Sequence, residues 1–141
     1  MTNFTKNIMV AAGVLVMAGA ASAQTVKAEI PFAFQAGNKL MPPGTYEVGI
    51  LHGVSGNEVF RLYSMDERKS VLAVPSVRQD PAKEWKADGR PRLAFACGTG
   101  HCALTEIWNG STSSIAYRFR TPKSEETASM RVVVARTANG E

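Results

Sequence analysis

The chain has 141 residues, of which 45% are hydrophobic and 20% are charged, and its formal net charge is +4. These values are typical of a single globular domain, so they exclude a disordered or collagen-like chain. The basic residues are scattered and form no Lys- or Arg-rich tract, which argues against a nucleic-acid partner.

The first 23 residues have the three parts of a secretory signal peptide. Lys6 is the one charged residue of residues 1–7, residues 8–20 are apolar or small, and an Ala-Ser-Ala site follows. The apolar run is shorter than the roughly 20 residues that a membrane-spanning helix requires. We therefore predict a signal-peptide helix over residues 1–23, which is removed before Gln24. The mature chain is then one domain, residues 24–141, without a transmembrane anchor, in the periplasm or outside the cell.

The first half of the mature chain predicts four strands. Apolar side chains alternate with polar ones over residues 26–34, and the alternation resumes over residues 45–52 after a Pro-Pro-Gly turn. Two more strands are predicted at residues 59–64 and 70–77. Pro75 places the last of these at a sheet edge or a bulge, because proline lacks an N–H group.

The second half begins with a polar stretch, residues 79–91, which we interpret as the longest surface loop. Four strands follow at residues 92–97, 103–108, 113–120 and 130–136. No segment has the apolar spacing of a helix of normal length. Short strands separated by turn residues predict an all-β fold, either an antiparallel β-sandwich or a small β-barrel of about seven or eight strands.

Cys97 and Cys102 flank a glycine-containing turn between two predicted strands. Residues that face each other across a hairpin have Cα atoms about 4.5–5.5 Å apart, which suits a disulfide bond. Because an exported chain meets an oxidising compartment, we predict that the two cysteines are bonded. A ring this small stabilises the fold by about 2 kcal/mol.

A metal site is the alternative for the same residues. Cys97, His101 and Cys102, together with the distant His52, are ligand types that bind zinc or copper. We favour the disulfide, since thiols that are oxidised together do not act as thiolate ligands. The sequence therefore predicts neither a metal site nor a cofactor.

Motifs for catalysis are missing from the sequence. It contains no Gly-x-Ser-x-Gly, no His-Glu-x-x-His and no glycine-rich phosphate loop, so we assign no catalytic or cofactor-binding residues. Trp85, in the predicted loop, is the candidate for stacking on a ligand such as a sugar ring. Trp108, at a strand end, is predicted to be core, because large aromatic side chains are buried on average.

The stretch IPFAFQAGNKLMPPGTYEV, residues 30–48, resembles a family of small exported bacterial proteins of unknown function. Mature chains of that family open with a strand of the pattern hydrophobic-Pro-Phe-x-Phe, followed by Pro-x-Gly-x-Tyr-x-Val. The segment LTEIW at residues 104–108 is similar to a later strand of the family. The resemblance implies a secreted β-domain and supplies no activity and no catalytic residues.

Together these observations favour a non-enzymatic binding or structural protein of the cell envelope or extracellular space, with an envelope polysaccharide or a protein as partner. Two alternatives stay open. One is a hydrolase acting on envelope material, in which His and Asp or Glu side chains converge from distant strands. The other is a periplasmic metal-binding protein that uses the cysteine and histidine residues named above.

Overall fold

The computed structural model describes residues 25–53, 55–98, 100–111, 113–121 and 129–137. The predicted signal peptide and its cleavage site lie outside these residues. In the part of the chain that the structure describes, no helix is long and apolar enough to cross a membrane.

The described chain forms twelve strands and one short helix. In chain order these are β1 (Val26–Ile30), β2 (Phe34–Ala36), β3 (Lys39–Met41), β4 (Gly44–His52), β5 (Glu58–Ser64), β6 (Lys69–Ala73), β7 (Val77–Gln79), α1 (Lys83–Asp88), β8 (Arg92–Cys97), β9 (Cys102–Trp108), β10 (Ala116–Arg118), β11 (Ser129–Val134) and β12 (Arg136–Thr137).

The strands are arranged in two sheets that pack against each other. The first sheet has the order β12-β1-β4-β5-β6, and the second has the order β11-β8-β9-β10-β7. The hairpin of β2 and β3 extends the second sheet, because β2 pairs in parallel with β9. The two sheets do not close into a barrel, so of the two predicted architectures the β-sandwich is confirmed.

The main hydrophobic core lies between the two sheets. Alternate residues of β1, β4 and β8 face it, as the period of two along a strand predicts. Aromatic rings cross the interface in edge-to-face pairs: Phe34 lies 5.1 Å from Tyr46, and Phe60 lies 5.0 Å from Tyr117, between ring centroids. These pairs add to the stability gained by burial, because an aromatic edge is attracted to an aromatic face.

The strand count exceeds the predicted seven or eight because three predicted strands bend and continue in the other sheet. The bends lie at Pro31 between β1 and β2, around Pro75 between β6 and β7, and at Ala135 between β11 and β12. Proline breaks a strand because it cannot donate a ladder hydrogen bond. The three bends turn eight predicted strands into eleven. The twelfth is β3, which lies between two turns and was not predicted. Each long side of the sandwich is therefore bordered by a chain segment that crosses between the sheets.

The interpretation of residues 79–91 as a surface loop is wrong at its centre, where α1 lies. Trp85 of α1 stacks on Trp108 of β9 with 6.4 Å between ring centroids, and the two rings pack with Ala94 and Ala116 in a second, smaller cluster. A helix of six residues with one buried side chain has no recognisable apolar period, which is why the pattern did not show it. Trp108 is 2% exposed, so its prediction as core is confirmed.

Two glycines within residues 30–48 lie where other segments approach the backbone closely. A Cβ atom on Gly44 would lie 2.3 Å from a carboxylate oxygen of Asp66, and one on Gly37 would lie 2.6 Å from the carbonyl oxygen of Leu72. The same Asp66 carboxylate accepts a hydrogen bond from the Thr45 N–H at 3.0 Å. The β5–β6 turn is therefore fixed against the start of β4, and the β2–β3 turn packs directly on β6.

Candidate functional site

Cys97 and Cys102 form the predicted disulfide bond. They face each other at the ends of β8 and β9, with their Cα atoms 4.0 Å apart. Their exposed fractions are 8% and 7%, and both belong to the main core. The disulfide prediction is confirmed, and burial in the core identifies the bond as a structural cross-link of the hairpin.

The ligand set of the metal alternative is not brought together. Both cysteine sulfur atoms are in the disulfide, and the two histidines are exposed. His52 ends β4 in the first sheet, whereas His101 lies in the β8–β9 turn of the second. Within the described residues, no three or more His, Cys, Asp or Glu side chains are grouped to hold a metal ion.

Trp85 does not present a free ring to a ligand. Its side chain is 8% exposed because one face of the ring packs on Trp108. Arg92 bonds to Asp88 at the end of α1 and so helps to hold the helix on the sheet. Hydrogen bonds from the Arg90 N–H and from the Arg92 guanidinium lower the pKa of Asp88. The structure gives Trp85 a packing role, and the premise of the stacking hypothesis, an exposed ring, is not met.

A polar cluster that the sequence did not reveal joins the two sheets, and we call it the Glu58 cluster. The Tyr117 hydroxyl of β10 donates a 2.7 Å hydrogen bond to Glu58 of β5, and Arg78 of β7 forms an ion pair with the other carboxylate oxygen. Burial, and then the hydrogen bond to Glu58, raise the pKa of Tyr117 to about 12. These residues are 20 and 59 positions apart, so no local pattern predicted their contact.

The Glu58 cluster lacks the features of a hydrolytic site. A tyrosine that keeps its proton up to a pKa of about 12 is a poor base near neutral pH, where general acid–base catalysis is most effective. His52 pairs with Glu58 in the β4–β5 register, yet both carboxylate oxygens are bonded to Tyr117 and Arg78 instead. We interpret the cluster as a polar latch between the sheets.

A groove with an apolar floor, which we call the edge groove, runs along the side of the sandwich between the β2–β3 hairpin and β6. Its volume is about 480 Å³. The side chains of its floor are at most 9% exposed, and they are Ala36, Ala73, Leu104 and Phe119. The β2–β3 turn bounds the groove where Gly37 meets β6. The floor is thus part of the sandwich core, reached from solvent at the sheet edge.

The rim of the edge groove is mixed. Leu72 and Val74 line it and are 53% and 65% exposed, and the polar side chains of Gln35, Asn38 and Arg120 complete it. Binding sites combine apolar and polar groups on a concave surface, and the volume of this groove falls within their common range of about 300–1,000 Å³. The sequence contains a pattern that indicates this exposed apolar surface. Residues 71–74 are all apolar, although an edge strand buries only one of its faces, so apolar side chains are left on the other face.

The fold and the groove define a class of protein: a two-sheet β-sandwich with a disulfide-linked hairpin and, at one edge, a groove with an apolar floor. Comparison of the chain with family models, with curated proteins and with solved structures finds no match.

Proposed function

We propose that this chain is an exported, non-enzymatic binding domain of the cell envelope or extracellular space, and that the edge groove holds an apolar segment of a partner protein. The observation that carries the proposal is a buried apolar floor with two exposed aliphatic side chains, Leu72 and Val74, at its rim.

Burial of the rim supplies the driving force for this interaction. Removing a whole Leu or Val side chain from water contributes about 1.5–3 kcal/mol. Leu72 and Val74 are each more than half exposed, so covering both contributes about 2–3 kcal/mol before the floor is counted. A loss of that size weakens binding by roughly 30-fold or more, because each 1.4 kcal/mol is a factor of ten.

A protein is the favoured partner because both tryptophan rings, on which a sugar could stack, are buried. Sugar rings stack on exposed aromatic faces, whereas Trp85 and Trp108 pack on each other and are buried. The edge groove offers aliphatic side chains and one exposed cation, Arg120, which is in none of the ion pairs among the described residues. These features suit an apolar peptide segment with an acidic residue beside it.

Export is supported by the composition of residues 1–23 and by the buried disulfide, since such bonds persist in oxidising compartments. The resemblance of residues 30–48 to small exported β-proteins agrees with this. The mass of the protein purified from its host tests the proposal. We expect a mature N-terminus at Gln24, and a chain that begins at Met1 or Thr2 contradicts export by a cleaved signal.

Paired aspartate variants test the edge groove. Leu72→Asp with Val74→Asp places charge at the rim, and Met130→Asp with Val132→Asp places the same charge on β11 at the opposite side of the sandwich. These control positions are 57% and 42% exposed, so both variants change surface residues of similar type. Each purified protein is used to capture partners from an envelope extract, after thermal unfolding shows that all three are folded.

We expect the wild type and the β11 variant to capture the same protein, and the groove variant to bind it roughly 30-fold or more weakly. The captured protein is then cut into peptides, and the bound peptide should be apolar with an acidic residue. The same capture by all three proteins, or none by the wild type, would overturn the proposal.

A further inference from the structure

A second groove, which we call the basic groove, lies on the other long side of the sandwich, where β11 continues into β12. Its volume is about 520 Å³, and it is lined by residues of β1, of the loop 89–91 after α1, and of the segment 134–137. The Ala135 N–H donates a 2.8 Å hydrogen bond to the Pro91 carbonyl. The groove is therefore formed by segments that hydrogen bonding holds together.

Positive charge dominates this groove. Lys27, Arg90 and Arg136 come from three separate segments, and Glu29 is the one acidic residue among the lining side chains. The ion pairs among the described residues join other side chains and include none of these four. Three positive charges and one negative charge leave the groove with two net positive charges.

The nearby acidic side chains lie outside the groove and offset only part of its charge. Asp88 precedes the loop, and its carboxylate is bonded to Arg92 and to the Arg90 N–H. Glu47 is directly opposite Lys27 on β4, on the side away from β12, so it offsets part of the Lys27 charge without lining the groove. Arg90 and Arg136 are exposed.

Two of the cations are placed against each other by the strand register. Lys27 of β1 is directly opposite Arg136 of β12 in an antiparallel ladder, so both side chains lie on the same face. Like charges in this position destabilise a sheet. A bound anion removes that repulsion, so ligand binding and fold stability are coupled at this site.

The charge and the donors indicate which anion fits. A phosphate monoester carries about 1.5 to 2 negative charges at neutral pH, which matches the two net positive charges of the groove. Guanidinium groups bind phosphate oxygens through paired hydrogen bonds, and a lysine ammonium adds a compact charge. The groove is larger than a phosphate group alone and leaves room for the organic part of an ester.

We propose that the basic groove binds a phosphate monoester group, whether on a soluble molecule or on a lipid headgroup. The site lies at the opposite edge from the edge groove, and its occupancy does not depend on the proposed function of that groove.

Thermal unfolding of the mature protein in glycerol phosphate, against sodium chloride of equal ionic strength, tests the proposal. The wild type should unfold roughly 4 °C or more higher when the ester is several-fold above its dissociation constant. Arg136→Gln should lose this shift, and in sodium chloride it should unfold at the wild-type temperature or above it, because the repulsion is gone. Lys69→Gln is the matched control, since it removes one positive charge from the other edge, where Lys69 pairs with Glu67.

Cosedimentation with vesicles distinguishes the two sources of the ester. Phosphatidic acid in phosphatidylcholine presents a phosphate monoester, and phosphatidylcholine alone does not. A shift with glycerol phosphate supports a soluble ester, whereas Arg136-dependent binding to phosphatidic acid vesicles alone supports a headgroup. An equal shift in all three proteins would show a general salt effect. That outcome, or no response to either probe, overturns the proposal.

Discussion

Replacing Tyr117 by phenylalanine tests whether the Glu58 cluster holds the sheets together. The substitution keeps the ring, which packs 5.0 Å from Phe60 between centroids, and removes the hydroxyl that donates to Glu58. Hydrogen bonds to a charged group contribute about 1.5–3 kcal/mol. We therefore expect Tyr117→Phe to lower the free energy of unfolding at pH 7 without changing the fold.

The raised pKa of Tyr117, caused first by burial and then by the hydrogen bond to Glu58, adds a pH dependence to the same test. Tyr117 has a folded-state pKa of about 12 against the usual 10.0, so the unfolded chain loses this proton first as pH rises. The stabilisation is complete below pH 10 and is lost between pH 10 and about 12. Two pH units correspond to about 2.7 kcal/mol. Burial is the largest cause of the shift, and solvent screens the cluster at Arg78, whose side chain is 57% exposed, so we expect about 1–2 kcal/mol from the hydrogen bond itself.

Urea unfolding of the wild type and of Tyr117→Phe at pH 7, 9 and 11.5 measures this difference. The variant should be about 1–2 kcal/mol less stable at pH 7 and at pH 9, and the gap should shrink at pH 11.5. Tyr63→Phe is the matched control, because Tyr63 lies on β5 with its ring against Arg61, and its change should stay within about 0.5 kcal/mol. A Tyr117→Phe effect that is absent at pH 7, or equally large at pH 11.5, would refute the latch.

Three further substitutions address other parts of the fold. Changing Cys97 and Cys102 together to serine should lower the free energy of unfolding in urea by about 2 kcal/mol. The wild type under reducing agent should lose the same amount. Equal stability of the variant and the oxidised wild type would show that the hairpin is stable without the bond. Gly37→Ala should lower the free energy of unfolding by more than about 2 kcal/mol in thermal unfolding, because its Cβ would meet the backbone carbonyl oxygen of Leu72, whereas Gly49→Ala, which meets one atom at 3.9 Å, should lower it by less than about 1 kcal/mol. Trp85→Ala should lower the free energy of unfolding by about 3 kcal/mol. It should also expose Trp108, on which Trp85 stacks, to a fluorescence quencher, and an unchanged quenching rate of Trp108 would contradict the stacking.

Local chemistry accounts for the part of this protein that was predictable. Alternating side chains identified the strands, since the interior of a sandwich accepts apolar groups from one face of each strand. Turn residues indicated where most strands end. The positions of Cys97 and Cys102 on either side of a turn predicted the disulfide bond that the structure contains. The composition of residues 1–23 predicts a signal peptide by the same kind of local evidence.

The sites depend on contacts between distant segments. At Pro31, Pro75 and Ala135 the chain bends and continues as a strand of the other sheet. The alternation of apolar and polar side chains continues through each bend, so the sequence pattern does not show where a strand changes sheet. The two-residue period of side chains along a strand assigns each residue to one face of the sheet, but it does not predict which strand lies beside it.

The amino-acid sequence by itself therefore determined an all-β domain and its cross-linked hairpin, because each depends on neighbours along the chain, and it predicts an export segment from the same kind of local pattern. Strand order and register, which only the tertiary structure decided, brought Lys27 opposite Arg136 and placed Leu72 on the rim of the edge groove. The burial and the net charge of a groove depend on residues that are far apart in the chain. The two grooves therefore form only when the two sheets pack together.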